Sequence, residues 1–147
     1  MDSRSLALLG ARLLMAQLFL LGTAQKWLDP GIVEELLAGR GWPEWLIWPA
    51  LAFNLAAGLL LMLGLWTRPL ALLLAAYCAV TSLFHYVPSD GWQMSIFVKN
   101  WAIAGGCLAL AAAGPGRYAL AGWGRSNAPD PQEVRAAIAP SGPRSPR

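Results

Sequence analysis

Four long apolar segments, at about residues 6–26, 45–66, 70–87 and 95–113, take up most of this 147-residue chain. A helix of roughly 20 apolar residues crosses the hydrocarbon core of a bilayer, and the segments are close to that length. Residues 45–66 carry no charge at all. Only 13% of the chain is charged, against about 25% in soluble domains, and long stretches lack the polar face that a soluble helix shows. The expected fold is all-α: an integral membrane four-helix bundle, forming one domain over residues 1–124.

The connections refine that outline. Gly22-Thr23-Ala24 offers the small residues of a signal-peptide cleavage site, but Arg12 interrupts the apolar stretch where such a peptide is cleanest. The first segment therefore reads as a span. Residues 27–44 form the longest internal connection. Asp29 is expected to cap a short helix with Pro30 at its first position. Ile32, Val33, Leu36 and Leu37 then share one face, opposite Glu34 and Glu35, and Gly39 suits its end. This reads as an interfacial helix between spans 1 and 2. Thr67-Arg68-Pro69 is expected as the tight turn between spans 2 and 3, and Pro88 to Gly91 as the break before span 4. From Arg125 onward, Pro, Ser and Arg dominate, so residues 125–147 are expected to form a disordered cytoplasmic tail.

Four spans place both termini and the 67–69 turn on one side. Arg4, Arg68, Arg117 and Arg125 lie near the membrane there, whereas most acidic residues fall on the other side. Basic residues favour the cytoplasmic face, so both termini are expected in the cytoplasm. Trp27, Trp42, Trp45, Trp48, Trp92 and Trp101 then mark the outer interface, and Trp66 and Trp123 the inner one.

Several chemistries have no motif here. Cys78 and Cys107 cannot supply the four thiolates of an iron–sulfur or structural zinc site. No Cys-x-x-Cys pair, haem-attachment motif or nucleotide-binding glycine loop is present. No intrinsic cofactor, metal site or nucleic-acid partner is expected. Both thiols fall in apolar segments and read as small core residues.

Function must rest on the few polar residues in or beside the spans. Lys26, His85 and Lys99 end or begin spans at a similar outer depth, with Asn100 one residue deeper. Together they could hold a small anion or a carbonyl oxygen. The plainer alternative is that Lys26 and Lys99 reach the headgroups and His85 anchors at the interface. Arg12, Arg68 and Arg117 form an inner group, suited to an anion, a lipid phosphate or exposed carbonyls. Arg12 shares a helical stripe with Phe19 and Lys26, which places that stripe toward the bundle. Asn54, near the middle of span 2, suits an interhelical hydrogen bond. Gly58 on span 2, Gly105 and Gly106 on span 4, and the stripe Asn100, Ala104, Cys107 and Ala111 suit close helix packing.

Taken in order, these features resemble the DoxX family. The resemblance is carried by Arg12-Leu13, Phe19, Gly22 and Lys26, then Gly58 to Leu65 with Thr67-Arg68, then His85. Lys99-Asn100, Gly105-Gly106 and Gly114-Pro115-Gly116-Arg117 complete it, so that it covers roughly residues 6–120. It implies a small four-helix protein of the bacterial inner membrane. Some members of that family are subunits of a thiosulfate:quinone oxidoreductase and others associate with redox-stress proteins. Two positions depart from the pattern: Asn54 stands where relatives commonly place a glutamate, and Ala121 where they often place an aspartate. The resemblance implies an accessory subunit of a quinone-linked redox system, with quinone as ligand and a membrane or soluble redox protein as partner. Catalysis by the chain itself is left open. The alternative is a scaffold or assembly protein that binds a partner without chemistry.

Overall fold

A computed structural model describes residues 3–120. The tail expected at 125–147, with Ala121 and Trp123, lies outside the described residues. The described chain is an all-α membrane bundle. Helix α1 spans Ser3–Leu28, α2 Gly31–Ala38, α3 Ile47–Leu63, α4 Thr67–Phe84 and α5 Gly91–Ala113, with a 3-10 turn at Glu44–Leu46 leading into α3. With that turn counted into α3, four of these helices are long and apolar enough to cross a membrane. At 26 residues, α1 is about 39 Å long, more than the ~30 Å hydrocarbon core requires.

The helices form two antiparallel pairs. Helix α1 packs along α3 and α4 along α5, whereas the α1–α5 and α3–α4 seams touch far less. One end of the bundle gathers the start of α1, the α3–α4 turn and the segment after α5; we call it the turn end. The other carries α2 and the α4–α5 connection; we call it the loop end. Ala16, Leu61, Ala71, Leu74 and Cys107 are fully enclosed at the centre. On the outside, Leu14, Leu21, Leu73, Val98 and Leu108 are exposed. An apolar exterior of this extent is stable when lipid solvates it. Association in lipid relies on close packing. A side chain at Gly58 would meet Leu20 at 2.8 Å and the Ala16 carbonyl at 3.3 Å. Met15 of α1 sits against Gly106, while Gly105 faces open space.

Helix ends differ from expectation in three places. Thr67-Arg68-Pro69 are not the turn but the first turn of α4. The reversal is made by Gly64, Leu65 and Trp66, with Gly64 left-handed at φ 73° as the C-cap of α3. Proline is tolerated in a first turn because its missing N–H has no intrahelical partner there. Helix α5 starts at Gly91 rather than near Ser95, because Asp90 caps it: its Oδ1 accepts from Trp92 N at 2.9 Å and Gln93 N at 3.2 Å. Asp29 makes no such cap, and Pro30 flanks α2 with no side-chain hydrogen bond.

Candidate functional site

The polar residues fall into two groups, one at each end, positioned by different means. At the turn end, Arg12 is 2% exposed on the stripe of α1 that faces the interior, with Ser5, Ala16, Phe19 and Thr23. Its Nη1 donates to the Pro115 carbonyl at 2.8 Å and its Nη2 to the Tyr118 carbonyl at 2.7 Å. These carbonyls belong to the irregular segment after α5, where Gly114 ends the helix. The guanidinium thus pairs carbonyls of a stretch of backbone that has left its helix and lacks intrahelical partners. Its Nε has no partner. Arg68 is exposed and lies against Gly114. Arg117 is exposed on the same segment. The three arginines of the expected inner group therefore meet at one stretch of chain, but only Arg12 is enclosed.

At the loop end, the residues expected together are divided. Lys26 lies two residues from the end of α1, yet its side chain turns inward: Nζ donates to the Tyr77 hydroxyl at 3.5 Å and stands 5.9 Å from the centre of that ring. Asn54 Nδ2 donates to the same hydroxyl at 3.1 Å. Asn54 is 2% exposed, and its Oδ1 has no hydrogen-bond partner. Tyr77 therefore joins α1, α3 and α4. Asn54 is seven residues into α3, and Tyr77 seven before the end of α4, which places both about 10 Å below the loop end. Phe53 packs on the Tyr77 ring at 5.4 Å.

His85 follows α4, and its Nδ1 donates to Gln93 Oε1 on α5 at 2.7 Å. Lys99 is exposed, and Asn100 is half-buried one position further along. No hydrogen bond joins His85, Lys99 or Asn100 to Lys26 among the described residues. Tyr77, the hub, was missed because a tyrosine in a span passes for an interfacial aromatic. The available signal was its place opposite Asn54, the sole amide of α3. Arg40, in the connection after α2, is a second polar residue whose partners the sequence does not mark. Its Nη1 donates to Leu83 O at 3.0 Å, and its Nη2 to Phe84 O at 2.9 Å and Tyr86 O at 3.1 Å. It thereby caps α4, where a cation also complements the helix dipole.

Of the other polar groups, Thr67 at the start of α4 is buried with its Oγ1 unpaired. Thr23 and Thr81 bond back to carbonyls of their own helices, and Ser82 Oγ donates to Phe97 O at 2.9 Å across the α4–α5 seam. Cys78 and Cys107 are buried free thiols in the core. No group of three or more His, Cys, Asp or Glu gathers among the described residues. The chemistry open to the Lys26–Tyr77–Asn54 group is recognition of a small polar head by a cation, a hydroxyl and an amide.

The family described as DoxX matches residues 7–87. Inner membrane protein YqjF of Escherichia coli (strain K12) is 32% identical over 111 residues, covering 75% of this chain and 85% of that protein. Inner membrane protein YphA of the same strain is 32% identical over 126 residues, covering 80% and 90%. No solved structure gives a significant match.

Proposed function

This chain belongs to the DoxX family, and from that premise we propose that it is an accessory inner-membrane subunit of a quinone-linked redox system. Lys26, Tyr77 and Asn54 hold the quinone head. The observation that carries the reading is the unpaired end of the Asn54 amide, enclosed beside a hydroxyl and an ammonium group. Oδ1 is an acceptor, and a buried acceptor without a partner costs about 1–3 kcal/mol, which the donating hydroxyl of a reduced quinone recovers directly. An amide also suits this ligand in particular. A quinone carbonyl accepts hydrogen bonds, whereas the reduced hydroxyl also donates, and rotation of the Asn54 amide exchanges its donor and acceptor ends. Lys26 and Tyr77 supply donors to the carbonyl form. When bound, the quinone supplies two-electron carrier chemistry, while this chain binds and orients its head. The electrons' other station is a partner protein.

The basic residues Arg4, Arg68 and Arg117 at the turn end support placing that end in the cytoplasm. The quinone head is then held in the outer half of the bilayer. The two Escherichia coli relatives are named as inner membrane proteins, which supports the same location for this chain.

The test is quinone retention by the full chain purified in mild detergent. Tyr77→Phe removes the hydroxyl that receives both Lys26 and Asn54 but keeps the ring against Phe53. Quinone is expected to co-purify with the wild type, and the Y77F variant is expected to lose about tenfold in affinity, the equivalent of one good hydrogen bond. A wild type that carries no quinone and takes none up, or a Y77F variant that retains it undiminished, overturns the reading. The scaffold alternative takes its place if a partner protein still co-purifies in that case.

A further inference from the structure

We propose that the groove between residues 40–42 and the outer flank of α4 binds an anionic phospholipid, with the phosphate on Arg40 and an acyl chain along Val80, Leu83 and Phe84. The groove is open to one side, has a volume of about 300 Å³ and is lined by Arg40, Trp42, Val80, Leu83 and Phe84. Its walls differ sharply in character. Val80 and Leu83 are 50% and 57% exposed on a spanning helix, so lipid tails already bathe that side. Trp42 closes the upper edge, its ring edge-on to Phe84 at 5.3 Å. Arg40 stands beyond the last turn of α4, at the loop end of that apolar helix.

Charge selects the occupant. Arg40 is held by three carbonyls, Leu83 O, Phe84 O and Tyr86 O. A guanidinium has five N–H donors, so two are left uncommitted. Among the described residues no carboxylate pairs with it. The carbonyl end of a helix offsets only about half a unit charge, so the groove keeps a net positive head above an apolar wall. The three bonds also fix the guanidinium in place, so little side-chain entropy remains to be lost on binding. A zwitterionic headgroup brings its own cation to this point, whereas an anionic one does not. The assignment is independent of the quinone reading, because none of the groove residues belongs to the Lys26–Tyr77–Asn54 group.

Native mass spectrometry of the full chain, released from a neutral detergent, tests it with phosphatidylglycerol, phosphatidylcholine and inorganic phosphate supplied separately. One phosphatidylglycerol per chain is expected to be retained at least about fivefold better than phosphatidylcholine, the effect of one basic residue beside an anionic lipid. Inorganic phosphate alone is expected not to be retained, because it makes no use of the apolar wall. Arg40→Gln is expected to abolish the preference. Since Arg40 also caps α4, a second variant, Val80→Trp, fills the groove and leaves the cap intact; it is expected to lower phosphatidylglycerol retention by a similar factor. Equal retention of the two lipids by the wild type overturns the proposal. So does an undiminished preference in V80W, or a protein dimer that V80W disrupts in the absence of lipid, which makes the groove a contact between copies.

Discussion

The two ends of the bundle solve the same problem in opposite ways. Each receives a basic side chain of α1, Arg12 enclosed at the turn end and Lys26 half-buried at the loop end. Arg12 finds two carbonyls at 2.7–2.8 Å and seals a segment of irregular chain. Lys26 finds one neutral hydroxyl at 3.5 Å, shared with an amide whose other end is unpaired. Packing follows the same gradient. The buried residues of α5 all lie in its second half, from Ala104 to Ala111, toward the turn end. The first half, which faces the loop end, contributes none. The lesson is that polar content alone does not mark a site in a membrane protein. Unused hydrogen-bonding capacity is informative only where it adjoins other polar groups. Among the described residues, Arg12 Nε and Thr67 Oγ1 at the turn end are also unpaired, but Asn54 Oδ1 alone stands beside a hydroxyl and an ammonium group.

The comparison breaks most easily at Arg12. Replacing it with Ala removes both hydrogen bonds to the Pro115 and Tyr118 carbonyls, and hydrogen bonds from a charged donor contribute about 1.5–3 kcal/mol each. The expected loss is about 3 kcal/mol or more of stability, seen as a large fall in the unfolding temperature of detergent-purified protein. Arg12→Lys, with one point of contact in place of a fork, should fall between. If R12A unfolds like the wild type, the turn end is not held by this contact and the contrast between the ends fails.

Gly64 sharpens the same point from the backbone. Its φ of 73° is strained for any other residue, and an added Cβ would stand 2.5 Å from Arg12 Nη1 and 2.6 Å from the Ala119 Cβ. Gly64→Ala is expected to destabilise by about 1–2 kcal/mol from the left-handed conformation, plus whatever the displaced guanidinium loses. In the R12A background the clash with the guanidinium should vanish, leaving the backbone cost and the contact with the Ala119 Cβ. A double-mutant cycle measures that coupling, and strict additivity would show that Gly64 and Arg12 act separately.

Much of the architecture was legible because lipid makes simple demands. Length and apolarity alone locate four spanning helices, and the stripe from Arg12 through Phe19 is indeed the interior face of α1. The helix ends were less legible. Thr67-Arg68-Pro69 has the composition of a turn, yet Gly64, three residues before Thr67, supplies the left-handed step and leaves the proline harmless in a first turn. The candidate site was half legible. Lys26 and Asn54 stand out as polar residues in apolar surroundings, but Tyr77 is amphipathic and hides among interface aromatics. Grouping Lys26 with His85 and Lys99 by depth overlooked direction: depth follows from counting residues, whereas the inward turn of Lys26 depends on a hydroxyl on another helix. Arg40 stayed hidden for the same reason, since its partners are carbonyls some 43–46 residues away.

The smallest expected change in stability separates the ends most cleanly. Asn54→Leu removes one hydrogen bond to Tyr77, worth about 0.6–1.7 kcal/mol between helices in a membrane. It also removes the unpaired Oδ1, whose enclosure costs about 1–3 kcal/mol. The terms oppose each other, so the net shift should lie between a loss of about 0.7 and a gain of about 2.4 kcal/mol, with stabilisation the expected sign. Quinone retention should fall in the same variant, because the amide that meets the head is gone. A protein that becomes as stable or more so while losing its ligand identifies the loop end as built for binding at the expense of packing. Loss of both together would instead make Asn54 a structural bond like those of Arg12, and the two ends would then differ only in degree.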